Sequence, residues 1–158
     1  LRGEVGVKEF KVTPIKNGTV IDHITVGMAL QVVRILGIAD RGTSSTVSVL
    51  MHVPSAAQEW KDVVKVEDRE LEPKEVDKIS LIAPKATINI IRNFNVEAKH
   101  RVALPDVVVG ILRCENHNCI SNSGEPIESR FKVVRREPLL LRCGFCEREV
   151  TNVLANMK

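Results

Sequence analysis

The sequence contains no tyrosine, one tryptophan and four phenylalanines, so aromatics make up 3% of its 158 residues. Proteins that hold unpaired nucleic acid stack bases on aromatic side chains, and so few rings argue against that mode. Excess charge of one sign is also lacking. Lys and Arg number 23 against 20 Asp and Glu, a net of +3, without the dense basic stripe of a strong nucleic-acid binder. No apolar run approaches the ~20 residues of a membrane-spanning helix. No signal peptide is legible, because the opening LRGEVGVKEF is charged throughout. The chain begins with Leu rather than Met, so a missing true N-terminus is expected. These absences point to the cytoplasm, with neither membrane nor nucleic acid among the partners. A hydrophobic content of 44% and a charged content of 27% suit one folded domain or two small ones.

The first hundred residues alternate between strand-like and helix-like patterns. EFKVTPIK (9–16) reads as a strand and NGTVIDHI as a loop opened by the Asn17-Gly18 turn signal. TVGMALQVVRILG (25–37) reads as a helix capped by Thr25 and ended by Gly37, with Val26, Leu30, Val33 and Leu36 as its apolar stripe. STVSVLMHVP (45–54) alternates, placing Val47, Val49, Met51 and Val53 on one face. KDVVKVED (61–68) is a further strand. EPKEVDKISLIAP (72–84) is an amphipathic helix with Pro73 at its start, and residues 86–100 give two short strands about Asn93. This is β-α-β-β-α-β with one added strand. Only one face of each strand is consistently apolar, so both helices are expected on that face. The open face carries Lys65, Asn89 and Ile91, either a ligand platform or an ordinary solvated surface.

RVALPD (101–106) reads as a link to a second module. The remainder holds strand-like FKVV (131–134), PLLLRC (138–143) and EVTNVLAN (149–156). A unit that small rarely buries enough apolar area to stand unaided, and needs a staple. The cysteines offer one: Cys114 and Cys119 form C-x4-C, then 23 residues intervene, then Cys143 and Cys146 form C-x2-C. Two tight pairs suit one tetrahedral Zn²⁺. A disulfide framework is disfavoured in a reducing compartment. A redox role for Cys143 and Cys146 lacks its usual βαβ setting and leaves the other pair idle. Four thiolates fill four positions, so the zinc is expected to be structural rather than catalytic. His117 lies within the first loop and could replace a cysteine as ligand, but with four thiols present it is expected to be an exposed loop histidine. Arg113, Arg142 and Arg148 flank the sulfurs and could offset their charge.

No nucleophile elbow, phosphate loop or H-E-x-x-H motif occurs. Asp22-His23 is the one tempting acid–base pair, and no nucleophile is evident beside it.

Several stretches together carry a resemblance: KNGTVIDHI (16–24), the VPS at 53–55 followed by KDVVKVED, LIAPKATINIIRN (81–93), Leu104-Pro105, and the cysteine pattern with VLAN (153–156) after it. In this order they resemble the regulatory chain of aspartate carbamoyltransferase over nearly the whole length. The resemblance implies a non-catalytic subunit in pyrimidine biosynthesis. It further implies an α+β chain: a ferredoxin-like N-terminal domain (1–101), with a five-stranded antiparallel sheet and two helices on one face, and a small all-β zinc-ribbon-like domain (102–158). The first would bind CTP and ATP as allosteric effectors and pair regulatory chains as a homodimer. The second would hold zinc and dock on the catalytic chain. The effector positions that carry over are Val12, Ile15, Asp22, His23, Lys65, Asn89, Ile91, Phe94, Val96 and Lys99. Lys99 and His23 would meet phosphate, Lys65 and Asp22 base and ribose, and Ile15 and Ile91 the base faces. Val12 and Phe94 would supply backbone groups. Thr13-Pro14 and Phe94 depart from the familiar pattern of an acidic residue with alanine, and of tyrosine. Asn116, Asn118, Glu147 and Arg148, beside the sulfurs, are candidate contacts to the catalytic chain. The alternative is a zinc-ribbon nucleic-acid-binding protein, with a zinc hydrolase as a third reading.

Overall fold

Ile21, Val64 and Ile88 are cross-strand partners and are almost wholly buried. They form the middle row of an apolar face, and this face organises the larger half of the molecule. The computed structural model describes residues 14–38 and 44–158. Among them, β1 (Gly18–Ile24), β2 (Val47–Pro54), β3 (Trp60–Glu67), β4 (Thr87–Arg92) and β5 (Asn95–Arg101) form one sheet in the order β2-β3-β1-β4-β5. Every neighbouring pair is antiparallel. Helices α1 (Ala29–Ile35) and α2 (Pro73–Ile82) close over the apolar face through Ala29, Val32, Leu36, Ile79 and Ile82. This is the expected α+β sandwich.

Four local expectations need correction. NGTVIDHI is no loop. From Gly18 onward it is the central strand. Thr19 hides the alternation: it is fully buried among apolar residues and tolerated there because its hydroxyl donates to the Arg69 carbonyl at 2.6 Å. The expected strand at 9–16 lies mostly outside the described residues, and Pro14–Asn17 is not strand. Helix α1 starts four residues later than expected. Val26 and Leu30 of the supposed stripe are 40% and 60% exposed, and Ala29 and Val32 take the inner face. In β2 a register slip between Leu50 and Val53 breaks the expected alternation, so Met51 stays exposed. The Asn93 turn is as expected, with Asn93 and Phe94 both at positive φ (50° and 67°), as a two-residue hairpin connection requires.

Gly18 lies where β1 begins, at φ 145°. A Cβ there would sit 2.2 Å from the Val66 carbonyl oxygen. Backbone cannot yield as a flexible side chain does. Gly18→Ala is therefore expected to cost about 2–4 kcal/mol, read as a lower midpoint in urea denaturation.

The smaller half is a second antiparallel sheet, β6 (Val107–Val109), β7 (Arg130–Arg136), β8 (Leu139–Cys143) and β9 (Glu149–Val150), in that order. Strand β6 lies in a stretch that had no expected strand. The expected strand at 149–156 lasts two residues and then becomes the helical turn α3 (Val153–Asn156). Asn152 caps it by accepting the Ala155 N–H at 3.1 Å, and Asn favours that position over strand. Phe131, Leu141, Val150, Ile111 and Leu112 are among the buried side chains here. They belong to one continuous cluster with the larger core, and α3 packs on α2.

Candidate metal centre and effector face

Two loops bring the cysteines together. Cys114 and Cys119 flank the turn after Leu112, and Cys143 and Cys146 bracket the turn that ends β8. All four Sγ atoms lie within 4.8 Å of one another. Cys114 and Cys146 approach to 3.4 Å, Cys119 and Cys143 to 3.7 Å. Those separations are far beyond a disulfide's ~2.05 Å. They are close to the ~3.8 Å edge of a tetrahedron whose vertices lie ~2.3 Å from a central zinc. Burial pushes the Cys114 thiol up to about 12 and raises Cys143 as well. Burial also works against the Cys146 thiolate, yet the Arg148 N–H and the neighbouring Cys114, Asn116 and Cys143 side chains bring it down to about 7. A dication among sulfurs gathered and buried in this way would favour their thiolates, and the donor set fits a closed four-sulfur metal site.

His117 is exposed and outside the cluster, so it contributes no ligand. Arg142 is spent on Glu149 at 2.8 Å rather than on the sulfurs. The loops are held by amide groups. The Asn122 side chain donates to the carbonyls of Cys114 (2.9 Å) and Asn116 (2.8 Å), while the Asn116 carboxamide accepts the Asn118 N–H at 3.0 Å. The Phe145 N–H points at the Cys143 sulfur, 3.4 Å away. Asn118, Glu147 and Arg148 are exposed at the loop tips, and Asn116 is half-buried. Asn122 carried no sequence signal, because its role depends on a turn that only the fold reveals. Asn122→Ala removes the side-chain donor of the Cys114 carbonyl and leaves the Asn116 carbonyl with the Cys119 N–H, at 2.9 Å. It is expected to lower the stability of the metal site by about 1–3 kcal/mol, read as faster metal transfer to a chromophoric chelator.

The second site is the sheet face turned away from the helices. Cross-strand partners share a face, and the register draws three rows across it. Ser48, Lys65, Val20, Asn89 and Lys99 form the middle row. Asp22, Thr87 and Arg101 form the row toward one end, and Glu67, Gly18, Ile91 and Val96 the row toward the other. Lys65, Asn89 and Lys99, far apart in sequence, are thus brought into line. Asn89 is buried and donates to the Val20 carbonyl at 3.3 Å. Asp22 bonds Lys61 at 2.8 Å and the His23 N–H at 2.7 Å, both through Oδ1. Burial would raise the Asp22 carboxyl, but these two partners together hold it below the usual aspartate value. His23 Nδ1 lies 3.2 Å from Thr87 Oγ1. His23, Thr87, Lys85 and Arg101, with Ala57 and Gln58, line a depression of about 280 Å³ at the cationic end. Ile91 is buried beside exposed Val96, and Phe94 is exposed at the hairpin tip. Ile15 is buried, and the register does not join it to these rows. Val12 lies outside the described residues. Lys61, Lys85, Thr87 and Arg101 were missed in the sequence. Thr87 and Arg101 share strand parity with Asn89 and Lys99, which was the available signal.

Both halves of the chain have counterparts in known proteins. Residues 10–103 match the family model of the aspartate carbamoyltransferase regulatory chain, allosteric domain, and residues 106–154 match that of its metal binding domain. The chain belongs to the aspartate carbamoyltransferase regulatory chain family. It is 55% identical to the regulatory chain of Methanocella arvoryzae over 96% of this chain and 97% of that one. The regulatory chain of Methanothermobacter thermautotrophicus is 56% identical, covering 89% and 88%. That of Thermofilum pendens is 57% identical, covering 86% of each. A regulatory chain is a non-catalytic subunit that associates with the catalytic chain of aspartate carbamoyltransferase, in pyrimidine biosynthesis. This membership displaces the nucleic-acid and hydrolase readings. No helix among the described residues is long and apolar enough to cross a membrane.

Proposed function

We propose that this regulatory chain binds a nucleoside triphosphate, CTP or ATP, on the outer face of its five-stranded sheet and so modulates the catalytic chain in the cytoplasm. The observation that carries the reading is the chemical gradient across three rows of one face. Ile91 and Val96 offer apolar contact at one end, Lys65, Asn89 and Lys99 offer hydrogen bonds and charge in the middle, and Arg101 and Lys85 extend the positive charge toward the other end, where the His23 imidazole also lies. Successive rows are ~6.6–6.8 Å apart, so the three rows match the length of an extended nucleotide. A base would lie toward Ile91 and Phe94. Asp22, whose Oδ2 is left by Lys61, would accept from ribose, and the phosphates would lie toward Lys99 and Arg101.

In this reading residues 1–101 are the effector domain and 102–158 the metal domain. Zn²⁺ fits the four cysteines as a structural ion, supplying fixed tetrahedral geometry and leaving no open position for substrate. The metal would hold Asn116, Asn118, Glu147 and Arg148 in a fixed arrangement toward the catalytic chain. Two regulatory chains would pair as a homodimer through the effector domain. The edge strand β2, with Val49, Met51 and the neighbouring Trp60 exposed, supports that role. A nucleotide shifts the assembly only through its different affinity for two quaternary states. Calorimetric titration with CTP, ATP and cytidine tests the site. Saturable triphosphate binding with much weaker cytidine binding is expected, and no heat with either triphosphate would remove the effector role.

A further inference from the structure

The larger sheet is irregular on both sides of one dipeptide. Strand β1 slips register between Ile21 and Ile24, which pair with Val64 and Asp62 of β3, and β2 slips between Leu50 and Val53, which pair with Val63 and Lys61, so the slips lie opposite the adjacent residues Val63 and Asp62. Each slip holds a histidine in the left-handed region, His23 at φ 55° and His52 at φ 58°. Non-glycine residues adopt that conformation only where their surroundings impose it.

Two carboxylates impose it here. Asp22 accepts the His23 N–H on the outer face. Asp62 is fully buried and accepts three backbone N–H groups. Its Oδ1 takes that of His52 at 2.8 Å, while its Oδ2 takes those of Gly27 (2.9 Å) and Ala29 (3.1 Å) at the start of α1. One oxygen thus serves β2 and the other serves α1. Neighbouring strand residues point to opposite faces. Lys61 therefore reaches outward to Asp22, 2.8 Å away, while Asp62 reaches inward. A single peptide unit joins Lys61, held by Asp22, to Asp62.

We infer that Asp62 is a positioning residue that couples occupancy of the effector face to the start of α1 and to the bulged edge strand β2. This rests on the proposed nucleotide site. The carboxylate is specific to the task. An asparagine has one oxygen, so it can serve α1 or β2 but not both, and its NH₂ would face N–H donors on the other side. The chain also carries its own reporter. Trp60, the one tryptophan, stacks on His52 with ring centroids 4.3 Å apart and planes 14° from parallel.

The test uses the full-length, metal-loaded chain titrated with CTP. Occupancy is followed by calorimetry, and Trp60 emission by excitation on the red edge of the indole band, clear of cytosine absorption. Emission is expected to change in step with occupancy. In Asp62→Asn the Kd for CTP should stay within about threefold, while the emission change at saturation falls at least fivefold. With the catalytic chain bound, the effect of CTP on half-saturating aspartate should fall by a similar factor. A lesion that merely loosened the fold would lower the melting temperature without separating emission from occupancy. If Asp62→Asn does not fold, Lys61→Met serves instead. It cuts the outer link, leaves the three Asp62 bonds intact, and should reduce the emission change per bound nucleotide at least fivefold. A full emission change in either variant overturns the inference, as does CTP binding to the parent chain with no Trp60 response. If CTP does not bind, the same titrations are run with ATP, and absence of binding by both overturns the nucleotide site as well, so the two failures are distinguishable.

Discussion

Chelation of the metal, or Cys143→Ser, is expected to unfold residues 107–158 and release the catalytic chain. The smaller sheet has four short strands, one of three residues and one of two. Its buried side chains are few, and the cysteines themselves are part of its core. A module of this size draws its folding free energy from its metal, on the order of 10 kcal/mol or more for structural zinc in small peptides. The buried thiols of Cys114 and Cys143 resist ionisation without a cation, so in the metal-free chain they stay protonated and the two loops lose the ligand bonds that would join them. Because α3 packs on α2 and the Lys78 ammonium reaches the Lys158 carbonyl at 2.8 Å, melting also uncovers one side of α2. The effector domain should survive with a lower melting temperature. Hydrogen exchange checks this: fast exchange confined to residues 107–158 in the metal-free chain is the expected pattern. Sedimentation with the catalytic chain should then show free species. A metal-free chain that still assembles normally would refute the structural role.

Replacing both cations at the phosphate end, Lys99→Gln with Arg101→Gln, is expected to weaken triphosphate binding about 100-fold and cytidine binding less than about threefold. The two residues share strand parity on β5 and pair with Asn89 and Thr87 on the same face. Charge-assisted bonds to phosphate are about twice as strong as neutral ones, so their loss should fall on the triphosphate and spare the base and ribose. Both side chains are exposed in the free chain, so their replacement should leave the melting temperature nearly unchanged. Calorimetry on the variant gives both affinities. Equal weakening of cytidine and triphosphate would mean that the cations shape the face rather than meet phosphate. The triphosphate preference should also shrink as salt is raised, since exposed charges are screened.

The sequence showed some features directly and concealed others for identifiable reasons. The cysteine spacing announced four sulfurs at one point because two short loops leave few other arrangements. Helix α2 was legible from Pro73 to its end, since Pro at the first turn and a reciprocal Glu72–Glu75 capping box agree with its apolar period. Helix α1 was less so. Val26 and Leu30 fit a helical stripe but face outward, and the start at Ala29 is set by a buried aspartate from another strand. The central strand was concealed by Thr19 and by the bulge at His23, both of which disturb the period of two. On the effector face, Lys65, Asn89 and Lys99 could be named from the resemblance. Their alignment, and the company of Lys85, Thr87 and Arg101, exist only in the pairing register. Lys61 and Asp62 show the limit most clearly: one dipeptide serves two faces, and no local pattern marks it.

The most direct test of the whole account is the aspartate saturation curve of the complex reconstituted with the aspartate carbamoyltransferase catalytic chain, measured with and without CTP or ATP. The expected result is a severalfold shift in half-saturating aspartate with at least one of the nucleotides, abolished when the regulatory chain carries Lys99→Gln with Arg101→Gln. Superimposable curves with and without both nucleotides, in a complex that is fully assembled, would contradict it.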